Sequence, residues 1–257
     1  MNRKLYMPIL LLIVAILATS CTEKPMVQET TNPQLKIFEL YSELFKTDPE
    51  FDEIEAFLNK NLDDCDSKYH DTMLIAFEEF MISKLPKNKN KLSVNLIDYT
   101  KLTQYSSYAS AELDSYFKIL ETEYLSKDLN SDVLSEVVNK LLDRTVDVEN
   151  HLLRFKGGRT ESKMYELYVR YLYAALMGNG NHLTFIGIDS TKIDDEVLSQ
   201  YHDFINDYPD SHTASLVKHY IGLLEQTDYN LESEQVRNFH FDFYSNIRSF
   251  LWENKAS

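Results

Sequence analysis

The chain has 257 residues, of which 44% are hydrophobic and 12% aromatic, and it contains only six glycines and six prolines. All-β sandwiches and doubly wound nucleotide-binding folds need more turn glycine than this, so the composition favours a folded helical protein. The formal net charge of −15 at pH 7 repels phosphate backbones and anionic lipid headgroups, which argues against nucleic-acid binding and against electrostatic docking to a membrane.

The first 20 residues have the pattern of an export signal. Asn2-Arg3-Lys4 precedes an apolar run from Leu5 to Ala18, and the small residues Thr19 and Ser20 then lead to Cys21. The run is about 14 residues long, short of the roughly 20 that a membrane-spanning helix needs. A cleaved signal is therefore favoured over the alternative, an uncleaved spanning anchor.

The segment Leu17-Ala18-Thr19-Ser20-Cys21 resembles the lipobox of bacterial lipoproteins, with Ala18 at a position where leucine is usual. The resemblance implies cleavage before Cys21, a lipid on its thiol and an acyl chain such as palmitate on its new amino group. More than one acyl chain would make membrane attachment stable. Thr22 is not the aspartate that resembles an inner-membrane retention signal, so we expect the outer membrane in a two-membrane cell and the outer face of the cell membrane otherwise.

Removal of residues 1–20 would leave 24 basic and 41 acidic side chains, a net charge of about −17. Residues 21–33 are polar, contain proline and lack periodicity, so they predict a flexible tether of up to about 40 Å. The second of the two cysteines, Cys65, has no intramolecular partner if Cys21 is lipidated. Its neighbours Asp64 and Asp66 predict a raised thiol pKa and an inert residue.

From residue 34 onward, apolar residues recur at helical spacing. Breaks at Thr47-Asp48-Pro49, Leu85-Pro86, Gly157-Gly158 and Gly178-Asn179-Gly180 separate the helices. The clearest stripes are Ile37, Phe38, Tyr41, Leu44 and Phe45; Ile54, Phe57, Leu58 and Leu62; Leu74, Phe77, Phe80 and Met81; Leu113, Tyr116, Phe117, Leu120 and Tyr124; Leu134, Val137, Val138, Leu141, Leu142, Val148 and Leu152; and Met164, Leu167, Tyr168, Tyr171, Leu172 and Ala175.

Three further helices are predicted at about 193–207, 211–226 and 232–252, whereas 92–108 gives a weaker pattern and 183–188 predicts an extended connector. The sequence thus predicts an all-α domain over 34–257, built from about nine to ten amphipathic helices as an irregular α-solenoid or a helical bundle. A subdivision near 157–160 or 178–192 is an option. No fixed repeat period is present.

The stretch from Phe204 to Ser211, which contains Tyr208-Pro209, is followed by Ala214 and Tyr220. It resembles the helix-turn-helix junction of tetratricopeptide-like repeats, including those of envelope lipoproteins that act as assembly scaffolds. Independently of that resemblance, we expect Tyr208 to pack on the preceding helix, Pro209 to stop it and Ser211 to cap the next.

No catalytic, cofactor or metal motif is found. His202, His212 and His219 lack the HExxH or Glu-x-x-His spacing of zinc sites. The turn Lys156–Thr160 lacks P-loop spacing, and the acidic residues at 63–66 lack the glycine and glutamate of an EF-hand. We therefore predict no cofactor and no metal site.

The sequence predicts a lipid-anchored, extracytoplasmic helical protein that binds an envelope protein as a scaffold or accessory module. Tyr105, Tyr108, Tyr165 and Tyr173 fall outside the main apolar stripes and are candidate partner-binding residues. The alternative is an envelope enzyme whose site is built from dispersed residues. A solute-binding lipoprotein is disfavoured because the usual bilobed α/β pattern is missing.

Overall fold

A computed structural model describes residues 33–85, 97–126, 134–178 and 191–252. The predicted signal, nearly all of the predicted tether, Cys21 and the predicted connector at 183–188 lie outside these residues. The described ranges contain eleven α-helices and no β-strand, only an isolated bridge between Lys192 and Asn230. The prediction of an all-α fold is confirmed.

The helices begin and end as follows: α1 Pro33–Leu44, α2 Phe51–Asn61, α3 His70–Ser83, α4 Thr100–Thr103, α5 Ala111–Leu125, α6 Leu134–Arg154, α7 Glu161–Met177, α8 Asp195–Asp207, α9 His212–Gln226, α10 Glu234–Phe241 and α11 Phe243–Trp252. The count exceeds the predicted nine to ten for two reasons. The weakly patterned region forms the one-turn helix α4, and the last predicted helix is split in two.

The split lies at Asp242, which ends α10. Phe239 and Phe243, on either side of it, are both buried, so the core continues across the break. The Asn246 side-chain amide donates to the Phe239 carbonyl at 3.2 Å. This bond helps to satisfy a backbone oxygen at the point where the helix is interrupted.

A single cluster of buried apolar side chains joins the helices from α1 to α11. It includes residues on both sides of 157–160 and of 178–192. Helix α6 is central because it packs along α7 and also touches α5, α8 and α9. Its neighbours are therefore held at fixed positions around it.

The helix starts follow local capping chemistry. Ser110, Asp194, Ser211 and Ser233 each accept a hydrogen bond from a backbone N–H in the first turn of the next helix. Tyr208 packs its ring 5.1 Å from that of Phe204, and Ser211 caps α9, as expected for the Tyr-Pro junction. No helix within the described residues is long and apolar enough to cross a membrane.

Cys65 lies in the core, with its sulfur 3.7 Å from that of Met73. Its thiol pKa is raised by burial and, secondarily, by Asp66. The predicted direction is correct, although the larger cause is burial rather than charge.

Candidate functional site: a polar groove and an aromatic face

A polar groove of about 460 Å³ lies between α5 and α6, with Tyr171 of α7 at its floor. Residues from α5 recur every three or four positions and so occupy one face of that helix. A face of α6 with similar spacing lies opposite. The lining residues are Ala111, Asp114, Ser115, Lys118, Ile119, Thr122 and Glu123 of α5, and Arg144, Asp147, Asn150, His151 and Arg154 of α6.

Two ion pairs set the electrostatics of the groove. Glu123 and Arg144 are nearly buried and lie 2.8 Å apart at the floor, whereas Lys118 and Asp114 pair at 2.8 Å nearer the surface. Each buried charge therefore has a partner, as burial requires.

Two buried polar atoms in the described residues lack a well-aligned hydrogen-bond partner, and both belong to residues that line this groove. They are Asp114 Oδ1 and the Tyr171 hydroxyl. Burial raises the pKa of Tyr171, and the nearby Glu123 carboxylate raises it further, so the hydroxyl lies beside the floor ion pair and keeps its proton. An unsatisfied buried polar group costs about 1–3 kcal/mol, so both atoms are candidates to meet a ligand.

Asp147 and Arg154 carry charges that are not paired in the part of the chain described here. Burial and the neighbouring Asp143 raise the pKa of Asp147, as expected for a carboxylate without an adjacent cation. Arg154 is exposed and packs its guanidinium 5.0 Å from the centre of the Phe155 ring. The groove thus presents an unpaired anion and an unpaired cation seven residues apart on one helix.

His151 joins the groove to the start of α7. Its Nδ1 lies 2.9 Å from the Ser115 hydroxyl and its Nε2 lies 2.8 Å from the Thr160 hydroxyl. Thr160 donates its backbone N–H and its hydroxyl to Glu112 Oε1 at 2.7 and 2.8 Å. Burial lowers the His151 pKa, an effect that Glu112 partly offsets, so the ring is held neutral.

The Ser115 hydroxyl and the His151 ring are as close as a nucleophile and its general base are in hydrolases. However, Ser115 lies inside α5, where the backbone N–H groups are used by the helix, so no pair of free N–H groups is positioned to stabilise an oxyanion. The contact links α5 to α6, and the bond from His151 to Thr160 continues this link to the start of α7.

The structure separates the four tyrosines proposed from sequence. Tyr105 is 3% exposed and forms part of the core, so its predicted surface position is wrong. The region 92–108 gave too weak a pattern to show that Leu102, in α4, and Tyr105, in the turn after it, are both buried. Tyr108 is half-buried and donates its hydroxyl to Asp63 at 2.6 Å, which ties the segment before α5 to the end of α2.

Tyr165 and Tyr173 lie together on an aromatic face formed by α7 and the α10–α11 corner. The ring of Tyr173, 46% exposed, packs edge-on against Phe243 at 5.7 Å, and Phe243 in turn contacts Tyr244 at 6.0 Å. Burial raises the pKa of Tyr165, while Arg248 and Tyr244 are close enough to influence it. Tyr244 is 64% exposed, and Phe241 at the same corner is 88% exposed.

The histidines considered for zinc do not converge. His212 bonds the Phe250 carbonyl through Nδ1 at 2.7 Å, and His219 packs against Phe239 and Phe250. No group of three or more His, Cys, Asp or Glu suited to a metal ion is found in the described ranges. In the Lys156–Thr160 turn, Glu112 already occupies the N-terminal end of α7.

Comparison with known proteins identifies no matching family model, no similar curated protein and no similar solved structure. The function must therefore be argued from the side chains. The groove itself was not predicted from the sequence. The available signal was the helical spacing of Asp114, Ser115 and Lys118, but a polar stripe of this kind is usually a solvated surface.

Proposed function

We propose that the protein is a lipid-anchored, extracytoplasmic helical module that binds an envelope protein through the aromatic face of Tyr165, Tyr173, Phe241 and Tyr244. The observation that carries the proposal is the exposure of Tyr173, Phe241 and Tyr244 on α7 and at the α10–α11 corner, with the half-buried Tyr165 near Tyr244. Burying one such ring against a partner is worth about 1.5–3 kcal/mol. Tyrosine and phenylalanine are enriched in interface cores for this reason.

The anchor part of the proposal rests on the lipobox-like segment that ends at Cys21. A lipid at that position and a tether of about 12 residues, at most about 40 Å long, would keep the helical domain next to the membrane. The acidic charge of the chain would then keep the domain off anionic headgroups, so its aromatic face stays available to a protein.

The test is site-specific photo-crosslinking in the cells that make the protein. A benzophenone amino acid replaces Tyr244 in one strain and Leu125, which is 59% exposed on α5, in the control strain. We expect one dominant envelope protein to be captured at position 244, to be absent at position 125 and to disappear when Cys21→Ala removes the anchor. Equal capture at both positions, or capture that survives Cys21→Ala, would contradict the proposal.

The contact between Ser115 and His151 favours a hydrolase as the second candidate. A fluorophosphonate probe labels activated serines, so it distinguishes the two functions. We expect no labelling, because Ser115 has no oxyanion donors beside it. Labelling that is lost in Ser115→Ala would establish the enzyme.

A further inference from the structure

We infer that the groove between α5 and α6 binds a short zwitterionic peptide of about three residues, whose ammonium group pairs with Asp147 and whose carboxylate pairs with Arg154. This site is separate from the aromatic face, and the inference does not depend on the partner protein. It rests on the cavity, on the two buried polar atoms that line it and on the spacing of its two unpaired charges.

The spacing sets the length of the ligand. Asp147 and Arg154 are seven residues apart on α6, and a helix rises about 1.5 Å per residue, so they are separated by about 10 Å along the helix axis. An extended chain advances about 3.3–3.6 Å per residue, so about three residues cover that distance. A volume of about 460 Å³ lies in the range of small-ligand sites.

The polar atoms indicate a peptide backbone between the two charged ends. The Tyr171 hydroxyl keeps its proton, which the Glu123 carboxylate beside it attracts, so its oxygen suits a ligand N–H. Asp114 Oδ1 is an acceptor without an aligned donor, so it suits a ligand N–H. A peptide backbone supplies N–H groups for both positions.

Other polar ligands fit this groove less well. A neutral sugar would leave Asp147 and Arg154 unpaired. A nucleotide would bring its phosphates close to Asp114, Glu123 and Asp147, and the repulsion would oppose binding. A peptide that is charged at both ends matches both signs.

The test is isothermal titration calorimetry of the full chain in detergent with trialanine, N-acetyl-trialanine and trialanine amide. We expect saturable binding of one trialanine per chain and weaker binding of each blocked peptide. Arg154→Gln should weaken trialanine about tenfold, equivalent to about 1.4 kcal/mol, and leave the amide unaffected. Asp147→Asn should weaken trialanine to a similar extent and leave the acetylated peptide unaffected.

Matched controls separate binding from folding. Arg159→Gln changes an exposed arginine in the turn before α7, and Tyr124→Phe removes a hydroxyl from α5 outside the groove; both should bind trialanine like the original chain. Tyr171→Phe should weaken trialanine with little change in the thermal denaturation midpoint, because phenylalanine keeps the packing of the tyrosine ring.

Three results would overturn the inference. These are the absence of saturable trialanine binding, undiminished binding of both blocked peptides, and equal weakening by Arg154→Gln and Arg159→Gln. Tighter binding of N-acetyl-trialanine than of trialanine would indicate that the groove binds the C-terminus of a protein. That result would overturn the inference that it binds a free peptide.

Discussion

Glu149 shows how one buried carboxylate connects helices that are distant in sequence. It lies on α6 and accepts the backbone N–H groups of His212 and Thr213 at 2.8 and 2.7 Å, together with the Thr213 hydroxyl at 2.6 Å. These N–H groups begin α9 and have no partner within that helix. The carboxylate also opposes the positive end of the helix dipole, so α6 and α9 stabilise each other.

Glu149→Gln should therefore lower the free energy of unfolding by about 1–3 kcal/mol. Glutamine removes the negative charge, and its NH₂ group would face the backbone N–H donors at the start of α9. Glu225→Gln is the matched control at the other end of α9, where the side chain is exposed. Removal of its charge from a helix C-terminus should change stability by less than about 0.5 kcal/mol, toward stabilisation. Urea denaturation measures both, and equal effects would show that the position of the carboxylate is irrelevant.

His151 should make stability depend on pH in a defined direction. Its pKa in the folded state is lowered, mainly by burial, so the unfolded chain binds a proton at higher pH than the folded chain does. Its contribution is fully present above the unfolded pKa of about 6.5 and is lost as pH falls through the folded pKa. Burial also lowers the pKa of His240, so His240 contributes to the pH dependence of stability in the same direction.

In His151→Gln, the fall in stability from about pH 7 to pH 5 should be less steep than in the original chain, because a buried imidazole with a lowered pKa is gone. The difference between the two pH curves isolates His151 from the carboxylates that titrate in the same range. Parallel curves, measured by urea denaturation at each pH, would show that protonation of His151 is not linked to unfolding.

At the scale of elements, the turn between α6 and α7 depends on a missing side chain. A Cβ at Gly158 would lie 2.6 Å from the carboxylate carbon of Glu112 and 2.7 Å from the Phe155 carbonyl oxygen. Glu112 is the group that accepts the Thr160 N–H at the start of α7. The close approach of α5 to this turn therefore requires glycine.

Gly158→Ala should consequently destabilise the protein by about 1–3 kcal/mol, because it displaces the Glu112 carboxylate and leaves the Thr160 N–H without its acceptor. Gly222→Ala should instead stabilise the protein. An added Cβ in the interior of α9 meets nothing within 4 Å, and alanine is favoured over glycine in a helix by about 0.5–1 kcal/mol. Thermal unfolding of the two variants should move the midpoint in opposite directions, and a shared direction would contradict the assignment of Glu112 as the cap.

The helices themselves could be predicted because apolar stripes at helical spacing are a local property. The stop near 157–158 and the cap at Ser211 were found in the same way. The break at Asp242 was not, since the apolar pattern continues through it. Tyr105 was expected at the surface for a related reason. The helix before it, α4, has only one turn, which is too short for a sequence pattern to show which side is buried.

At the scale of the whole molecule, packing brings together residues that the sequence keeps apart. The groove uses α5, α6 and one residue of α7, and its floor pair joins Glu123 to Arg144 across a connection outside the described residues. The spacing of polar residues on each helix can be read from the sequence. Which polar faces come together, however, depends on how the apolar faces of the same helices pack in the core. Tyr165 and Tyr173 could be named as candidates because surplus aromatics outside a core stripe need no tertiary information, whereas Tyr244 and Phe241 were hidden within the last predicted helix.

The two cysteines allow a direct test of how the whole molecule is held at a membrane. Cys65 is buried beside Met73, so its thiol is not available to an acyl donor in the folded chain. If Cys21 carries the lipid, alkyne-palmitate fed to the cells should label the original chain and Cys65→Ala, and label should be lost in Cys21→Ala. The same variant should move from the membrane to the soluble fraction, because the apolar energy of acyl chains, about 0.8 kcal/mol per buried CH₂, is removed. Label that persists in Cys21→Ala would mean that the lipid is attached at another residue. An unlabelled Cys21→Ala protein that stays with the membrane would mean that attachment uses the uncleaved apolar segment instead of a lipid.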